Sequence, residues 1–473
     1  MSAPAAPIET SNAASEASRR RLVSKITWRL LPFLLILYVV SYLDRINLSF
    51  AALQMNADLH FKPEVYGFGS GIFFLGYCLF GIPSNLIIER LGPRRWISLI
   101  MVAWGFVTLG MCLVWDVNSF YALRFTLGLA EAGFFPGMLL YLTYWFPPKQ
   151  YGMAVARFMT AVPLAGVIGS LMAAKTLAMG GLAGLAGWKW LFLVTGAPAI
   201  LLGICVFFIL ADRPDQAKWL SLEEKAEVLA MIGAKTQIAA EAVGDKQSEA
   251  LPNAAAQSSK ISQAKPNQES SIYAAFTSLL VWRAAGLYFS MSVCMYGFQL
   301  WLPQIVQTFG KTDDSQTALL SALPAVAQGF GMQMIAANSD RTGERRFHVV
   351  AAALITCVGL LAACLLPGSF FKLSGMCLAA FGIWGTLGPF WALTRQSLKP
   401  VAQPAAIAFI NSIGGLGGFV GPYLVGLVQK LYSAPNAVPG RGESFASALI
   451  LLASAALITA LIAALSKPVK SDT

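Results

Sequence analysis

The sequence predicts an all-α membrane protein: twelve transmembrane helices arranged as two pseudo-symmetric six-helix bundles, with both termini in the cytoplasm. Three observations lead there. Hydrophobic residues make up 56% of the chain and charged residues only 12%, with a mean hydropathy of +0.63; a soluble domain carries about 25% charged residues. Apolar runs of about 20 residues, enough to cross a bilayer core of about 30 Å, recur along the whole length. A charged loop motif occurs twice, 251 residues apart, so the halves repeat one another, a common plan among transporters.

The apolar runs fall at 30–53, 66–89, 95–115, 118–146, 152–177, 188–211, 284–308, 316–338, 347–366, 372–394, 403–430 and 445–466. Without water to satisfy their backbones, such runs must be helices. The net charge of +11 is not a nucleic-acid footprint. Arg19, Arg20, Arg21, Lys25 and Arg29 precede the first span; Arg90, Arg94 and Arg95 follow the second, Lys149 the fourth, Arg341, Arg345 and Arg346 the eighth, Arg395 and Lys399 the tenth, and Lys467 and Lys470 the last. The opposite loops carry only Lys62, Lys311, Lys372, Lys430 and Arg441. This is the positive-inside bias. All seven cysteines lie inside spans and read as small apolar fillers. No metal, cofactor or disulfide framework is expected. The first run is too long for a cleavable signal peptide.

The organisation follows: 1–21, a disordered cytoplasmic tail; 22–211, the first bundle; 212–271, a cytoplasmic linker; 272–466, the second bundle; 467–473, a cytoplasmic tail. Residues 233–271 are of low complexity. Just before them, Ser221 and Glu224 form a capping-box pattern that opens a short amphipathic helix. The duplicated loops are "ERLGPRR", with Glu89, Arg90, Gly92 and Arg94, and "DRTGERR", with Asp340, Arg341, Gly343 and Arg345. Pro136 and Pro389, and Gly169 and Gly421, repeat at nearly the same offset. An acid ending one helix and arginines opening the next read as a cytoplasmic latch, paired in one state and parted in another. Plain topology accounts for the arginines, but not for the acid and glycine in both copies.

Four charged residues lie deep inside spans one and four, where an ionised side chain costs about 2.5–3.5 kcal/mol on insertion scales. Asp44 and Arg45, in "SYLDRINLSF", sit near the middle of the first span. Neighbours in sequence point about 100° apart on a helix, so each needs a partner elsewhere. Arg45 shares a face with Tyr38 and Tyr42, Asp44 with Ser41. In the fourth span, Arg124 and Glu131 are two turns apart on one face, about 10 Å. The second half offers neutral groups instead: Gln299, Gln328, Gln333, Asn411 and Ser412. Two buried ion pairs joining spans one and four are the structural alternative, but such pairs often cost as much as they return.

Ionised, the four groups sum to zero. An organic anion added to them leaves a buried negative charge unless an acid takes up a proton, so anion and proton entry assist each other. Both histidines, His60 and His348, are in or beside loops, which leaves Asp44 and Glu131 as proton carriers. Arg45 is the first choice to hold a carboxylate, because its fork matches that group bidentately; Arg124 is the second cation. Tyr77, Trp384, Trp391 and Asn411 are candidate pocket walls, although for each aromatic plain packing or an interfacial belt serves equally well. Gly414, Gly417, Gly418 and Gly421 have GxxxG spacings that read as close helix packing.

The two charged loops resemble the loop signature of the major facilitator superfamily. More narrowly, "YLDRINLSFA", "GYCLFGIPSNLIIERLGPRRWI", "RFTLGLAEAGFFPGMLLYLTYWFP" and "INSIGGLGGFVGPYLVG" resemble the anion:cation symporter family, which includes tartrate, phthalate, galactonate and hexuronate permeases. The resemblance covers nearly the whole chain apart from the N-terminal tail and the low-complexity linker. Asn85 and Ala336 replace the first glycine of the general loop signature, Asn85 being usual for the narrower family. The resemblance implies Asp44 and Glu131 as protonation sites, Arg45 and Arg124 as anion and coupling residues, and adds weight to Tyr77 and Asn411.

The remaining readings fail or trail. "GKT" at Gly310–Thr312 lacks the glycine that a phosphate loop needs five residues earlier. No G-x-S-x-G or H-E-x-x-H motif points to an enzyme. A proton-coupled drug or metabolite antiporter of the same fold is the nearest rival, though such antiporters usually carry a Gly-Pro pair where span five has "AVPLAGVIGS". A non-transporting membrane receptor has no need of acids at the midplane. The expectation is a monomeric, multi-pass protein of a bacterial inner membrane. It imports a small organic anion (a hydroxy-dicarboxylate, sugar acid or aromatic carboxylate, tartrate-like first) with a proton.

Overall fold

The computed structural model describes residues 8–232, 277–398, 403–432 and 445–466, with side chains from Ser18 onward except at 82, 85, 89, 148, 149 and 403–405. The low-complexity linker, the C-terminal tail, Lys399, Arg441 and the side chain of Glu89 lie outside the described residues. The first bundle comprises α1 (Ile8–Asp58), α2 (Pro63–Leu91), α3 (Pro93–Leu113), α4 (Val117–Thr143), α5 (Gln150–Leu177) and α6 (Gly187–Ile209). The second comprises α7 (Leu279–Gln307), α8 (Asp314–Thr342), α9 (Arg346–Leu365), α10 (Ser369–Ser397), α11 (Gln403–Tyr432) and α12 (Ala446–Leu465). Eleven of these are long and apolar enough to cross a membrane. The twelfth, α2, is a 29-residue helix in the place of the second predicted span.

The stretch expected to be an unstructured tail, up to residue 21, is helical from Ile8 onward. Ala13, Ala14, Glu16 and Ala17 are good helix formers, and extending an existing helix needs no new nucleus.

Four spans are broken, α5 at Thr160 and α8 at Ser321 among them, and the breaks in α4 and α10 fall in matching places and for one reason. α4 breaks after Glu131 and resumes at Phe134; α10 breaks at Thr386 and resumes at Leu387. Pro136 and Pro389 follow. A proline withholds an N–H and crowds the carbonyl four residues back, here Ala132 and Gly385. The duplicated loop glycines are explained as well. Gly92 has φ +82° and Gly343 φ +71°, backbone settings that side chains with a Cβ rarely adopt.

Within each bundle, and between α2 and α11 across the two, helices approach through glycines. A Cβ on Gly128 of α4 would lie 2.0 Å from the Phe73 carbonyl oxygen of α2. One on Gly421 of α11 would lie 2.3 Å from the Val293 carbonyl oxygen of α7. The glycine run of α11 thus presents Gly414, Gly417 and Gly421 to α7, and Gly415 and Gly418 to Cys78 and Phe74 of α2. Leu99 and Phe106 on α3, Leu201 and Phe208 on α6, and Val358 on α9 are exposed, an apolar outer surface suited to lipid.

Side-chain ties between the bundles cluster at one end, besides the Tyr42–Gln299 bond in the interior. Gln54 Nε2 donates to Asp314 (3.0 Å), Asn56 Nδ2 to Gln304 (3.3 Å) and the Tyr66 hydroxyl to the Leu300 carbonyl (2.6 Å). Lys430 Nζ lies 3.2 Å from Glu64. Ion pairs described at the opposite end join partners within one half: Arg94 with Asp212, and Arg345 with Asp340 (2.5 Å).

After α6 the chain folds back over the first bundle. The Tyr141 hydroxyl donates to the Ala211 carbonyl (3.0 Å), and Trp219 stacks on Trp145 at 5.6 Å. Ser221 and Glu224 bond each other reciprocally (2.9 and 3.1 Å), opening helix 222–232. Glu224 also receives Lys25 of α1 at 2.7 Å. These hydrogen bonds, from Lys25 first and the Ser221 backbone second, hold the Glu224 carboxyl below its ordinary 4.5.

Two predictions follow from this packing. Gly421→Leu should destabilise the detergent-solubilised protein by about 1–3 kcal/mol through overpacking, whereas Gly286→Ala, with nothing within 4 Å, should not lower the melting temperature. Because Glu224 binds its proton less readily when docked, the docking is favoured above the ordinary glutamate value and is lost as pH falls through the depressed one. Hydrogen exchange over 222–232 should therefore quicken on acidification, and Lys25→Ala should reduce that dependence. The effect should stay within about 1 kcal/mol for so exposed a pair.

Candidate functional site

The interior of the first bundle brings the four predicted charges together. α1 carries Asp44 and Arg45 side by side, and the break in α4 places Glu131 at the end of its first segment. Arg45 Nη2 lies 3.1 Å from Glu131 Oε2. The Glu131 side chain is fully buried, and that of Arg45 is 14% exposed. The pair therefore joins spans one and four, while Arg124 and Glu131, on one helix face, do not bond each other directly.

Asp44 is fully buried and held by neutral donors. Asn47 Nδ2, one turn along α1, donates to Oδ1 (2.8 Å), and the Thr108 hydroxyl of α3 donates to Oδ2 (2.7 Å). Asn47 also donates to the Thr195 hydroxyl of α6 (2.9 Å). Asp44 and Glu131 stand close enough for each to feel the other's charge.

Arg124 is buried, with Nε donating to the Gly69 carbonyl (3.3 Å). Its guanidinium lies 4.9 Å from the centre of the Phe73 ring, and Arg45 lies over the same ring at 5.7 Å and over Tyr77 at 5.2 Å. Phe73 thus separates two like charges while attracting both through its π face. Arg45 Nε, Arg124 Nη1 and Glu131 Oε1 have no hydrogen-bond partner within the protein. Two cationic donors and one acidic acceptor therefore remain free in an apolar interior, where leaving them unmet is costly.

Other predicted residues fall nearby or apart. Tyr42 reaches across the bundles, exchanging hydrogen bonds with Gln299 (3.0 and 2.7 Å). Trp384 meets Tyr42 edge-on at 6.1 Å. Trp391, expected at the pocket wall, stands in a separate trio with Tyr288 (5.1 Å) and Phe390 (5.0 Å). Asn411 is exposed on α11. Of the expected latch, Arg94 bonds Asp212, and Arg345 bonds both Asp340 and Ser339. Arg90 and Arg341 are exposed. These contacts do not link the halves, because the loops stand at the end opposite the inter-bundle ties. Sequence reading passed over Asn47, Phe73, Thr108 and Thr195. Asn47 and Phe73 had a signal, each lying one turn from a noted residue; Thr108 and Thr195 had none.

Comparison with known proteins decides the family. The model of the Major Facilitator Superfamily matches residues 34–422. The chain belongs to the major facilitator superfamily. A putative tartrate transporter of Agrobacterium vitis is 41% identical over 93% of this chain and 94% of its own. A quinolone resistance transporter of Acinetobacter baumannii is 35% identical over 86% and 88%. A solved bacterial homolog of the human lysosomal transporter Spinster superposes with a TM-score of 0.72 at 16% identity, covering 92% of this chain and 96% of that one, which shows the shared fold. This major facilitator protein is thus a multi-pass inner-membrane transporter and not an enzyme.

The Arg45–Glu131 contact predicts a coupled stability effect. Arg45→Ala strands a buried carboxylate and should cost about 3–5 kcal/mol. Adding Glu131→Gln should recover most of that loss. Thermal unfolding of the two single variants and the double variant measures it; additive losses would show that the contact contributes nothing.

Proposed function

We propose that the protein imports a small organic anion, a tartrate-like hydroxy-dicarboxylate first, together with a proton, by alternating access. The observation that carries this reading is the set of three unmet groups: a donor on Arg45, a donor on Arg124 and an acceptor on Glu131. A carboxylate satisfies the donors, and a proton satisfies the acceptor.

The two events share one cation. Arg45 holds Glu131 in the empty site, and a substrate carboxylate competes for the same guanidinium. A proton on Glu131 removes its claim on Arg45 and frees the fork for bidentate binding. Asp44, beside Glu131, is the second acid able to hold the proton. Tyr42, Tyr77 and Asn411 serve as uncharged contacts around the anion, with Trp384 favoured over Trp391 because it touches Tyr42. The similarity to a putative tartrate transporter over nearly the whole of both chains supports a hydroxy-dicarboxylate.

Access follows the distribution of ties. Bonds between the bundles at the Glu64 end close that side, so the site opens toward the Arg94 end, which the positive-inside bias assigns to the cytoplasm. In the other state Glu89, Arg90, Arg94, Asp340, Arg341 and Arg345 draw the halves together there. The unit is a monomer. A second reading, proton-coupled efflux of a drug or metabolite, is favoured by the similarity to a quinolone resistance transporter.

Counterflow in proteoliposomes with labelled tartrate, against a panel of sugar acids, aromatic carboxylates and a fluoroquinolone, separates the readings. Symport should alkalinise the outer medium when a carboxylate is added; a fluoroquinolone that drives protons the other way would select the second reading. Arg45→Ala should abolish saturable uptake. Glu131→Gln should keep exchange but lose uphill accumulation, and full accumulation by that variant would remove Glu131 from the mechanism.

A further inference from the structure

Threonines inside these helices turn their hydroxyls back on their own backbone. Thr27 donates to Val23, Thr126 to Ala122, Thr195 to Leu191, Thr356 to Ala352 and Thr459 to Ala455, all at 2.8–3.0 Å. This is the local default, a hydroxyl bonded to the carbonyl one turn earlier. Thr108 departs from it. Its hydroxyl leaves α3 and donates to Asp44 Oδ2 on α1 at 2.7 Å.

The second bundle shows what happens without an acid. Between α7, α9, α10 and α12, the elements matching α1, α3, α4 and α6, lies a small pocket lined by Cys294, Thr356, Thr386 and Thr459 among others. No carboxyl lines it, and there Thr356 bonds its own helix, while Thr459 lies within reach both of its own helix and of the Ser290 hydroxyl of α7 (2.8 Å). The hydroxyl of Thr108 is thus drawn off its helix by the carboxyl it faces.

Asp44 Oδ1 is engaged as well, by Asn47, whose amide also donates to the Thr195 hydroxyl. Thr195 in turn donates to the Leu191 carbonyl, so that branch runs in one fixed direction. Thr108 has an alternative acceptor, the Trp104 carbonyl one turn back. The charged groups facing Asp44 are Arg45 on its own helix and Glu131 and Arg124 on α4. Tyr77 on α2 lies over Arg45, and α3 and α6 contribute the two threonines.

We propose that Thr108 is a two-position switch that sets the proton affinity of Asp44, with Asn47 as its fixed partner; both are positioning residues. This rests on the reading that Asp44 is an acid site. When Asp44 is a carboxylate, the Thr108 hydroxyl donates to Oδ2. When Oδ2 takes a proton from solvent, the new O–H donates to Thr108 Oγ1, and the threonine O–H swings to the Trp104 carbonyl. Each donor keeps an acceptor in both states, and Glu131, which stands within side-chain hydrogen-bonding reach of Asp44, is the competing acceptor for the added proton.

The test needs no substrate. Infrared difference spectra of the purified, full-length protein are recorded during a pH titration, and the carboxyl C=O band missing from Asp44→Asn identifies Asp44. Thr108→Val removes a donor that favours the charged form, so the band should persist to higher pH, with its midpoint up by about one unit or more. Its frequency should also shift, because the valine cannot accept the Asp44 O–H. Thr108→Ser should restore both. Should Thr108→Val fail to fold, Asn47→Ala should raise the midpoint in the same direction. An unmoved midpoint in a folded Thr108→Val, or an unmoved one in Asn47→Ala when that variant must stand in, overturns the switch. So does the lack of any titrating band lost in Asp44→Asn. Failure of the transport assays with these spectra intact would count against the anion-import reading alone.

Discussion

A charged group in an apolar interior must find its complement there, and the first bundle is arranged around that requirement. Arg45 and Glu131 meet it by direct contact between α1 and α4. Asp44 meets it with two neutral donors from α1 and α3. Arg124 meets it only in part, through one backbone carbonyl and an aromatic face. The backbone geometry serves the same end. Without a Cβ at Gly128, α4 reaches the backbone of α2 at Phe73, close enough for one ring to lie under both guanidinium groups. The break ahead of Pro136 ends the helical segment at Glu131, beside Arg45 of α1, with Arg124 two turns back along α4.

The two bundles share a skeleton but not a chemistry. Each has a span broken ahead of a proline, a glycine of positive φ in its charged loop, and glycine-mediated contacts between helices. The interior of the second holds a cysteine and threonines where the first holds two acids. A duplicated fold supplies two equivalent interiors, but a second set of buried charges would carry its own desolvation penalty. The neutral half is left to contribute shape and hydrogen bonds from its side of the interface, as Gln299 does to Tyr42.

Most of the architecture was legible because the bilayer leaves few alternatives. Length and apolarity identify spans, basic residues orient them, and the repeated loop reveals the duplication. Residue types also announced the four charges, since each is rare inside a span. Partners were a different matter. Sequence spacing placed Arg124 and Glu131 on one face, but it cannot show that Glu131 turns to Arg45, because that depends on how α1 and α4 approach. Thr108 was invisible for a related reason: a threonine in an apolar helix carries no signal until the tertiary fold puts a carboxyl beside it. Trp384 and Trp391 share a helix face in sequence, yet the break at Thr386 between them sends one toward Tyr42 and the other toward Tyr288. The helix at 8–21 was missed because composition alone did not reveal that α1 would extend backward.

The contacts between the bundles bear on how such a molecule can move. Helices touch through glycines and backbone carbonyls inside each bundle, and α2 and α11 do so across the two, where Gly67 and Gly71 meet the Pro422 and Phe419 carbonyls and Gly426 meets that of Pro63. Between bundles, the ties at the Glu64 end are mostly side-chain hydrogen bonds and one exposed ion pair, Lys430 to Glu64, each worth about 1 kcal/mol or less in net terms. Contacts of that kind can be exchanged for others of similar strength at the opposite end. The Arg94 and Arg345 loops carry suitable groups there, each now paired within its own half. Any rocking of the two bundles against each other has to shift the glycine contact of α2 with α11 as well as exchange these side-chain ties, with the buried charges compensated throughout. The demand that organises the interior would thus also decide when the bodies move, because Arg45 released from Glu131 without an anion or a proton to replace it would leave two unmet charges in the apolar core.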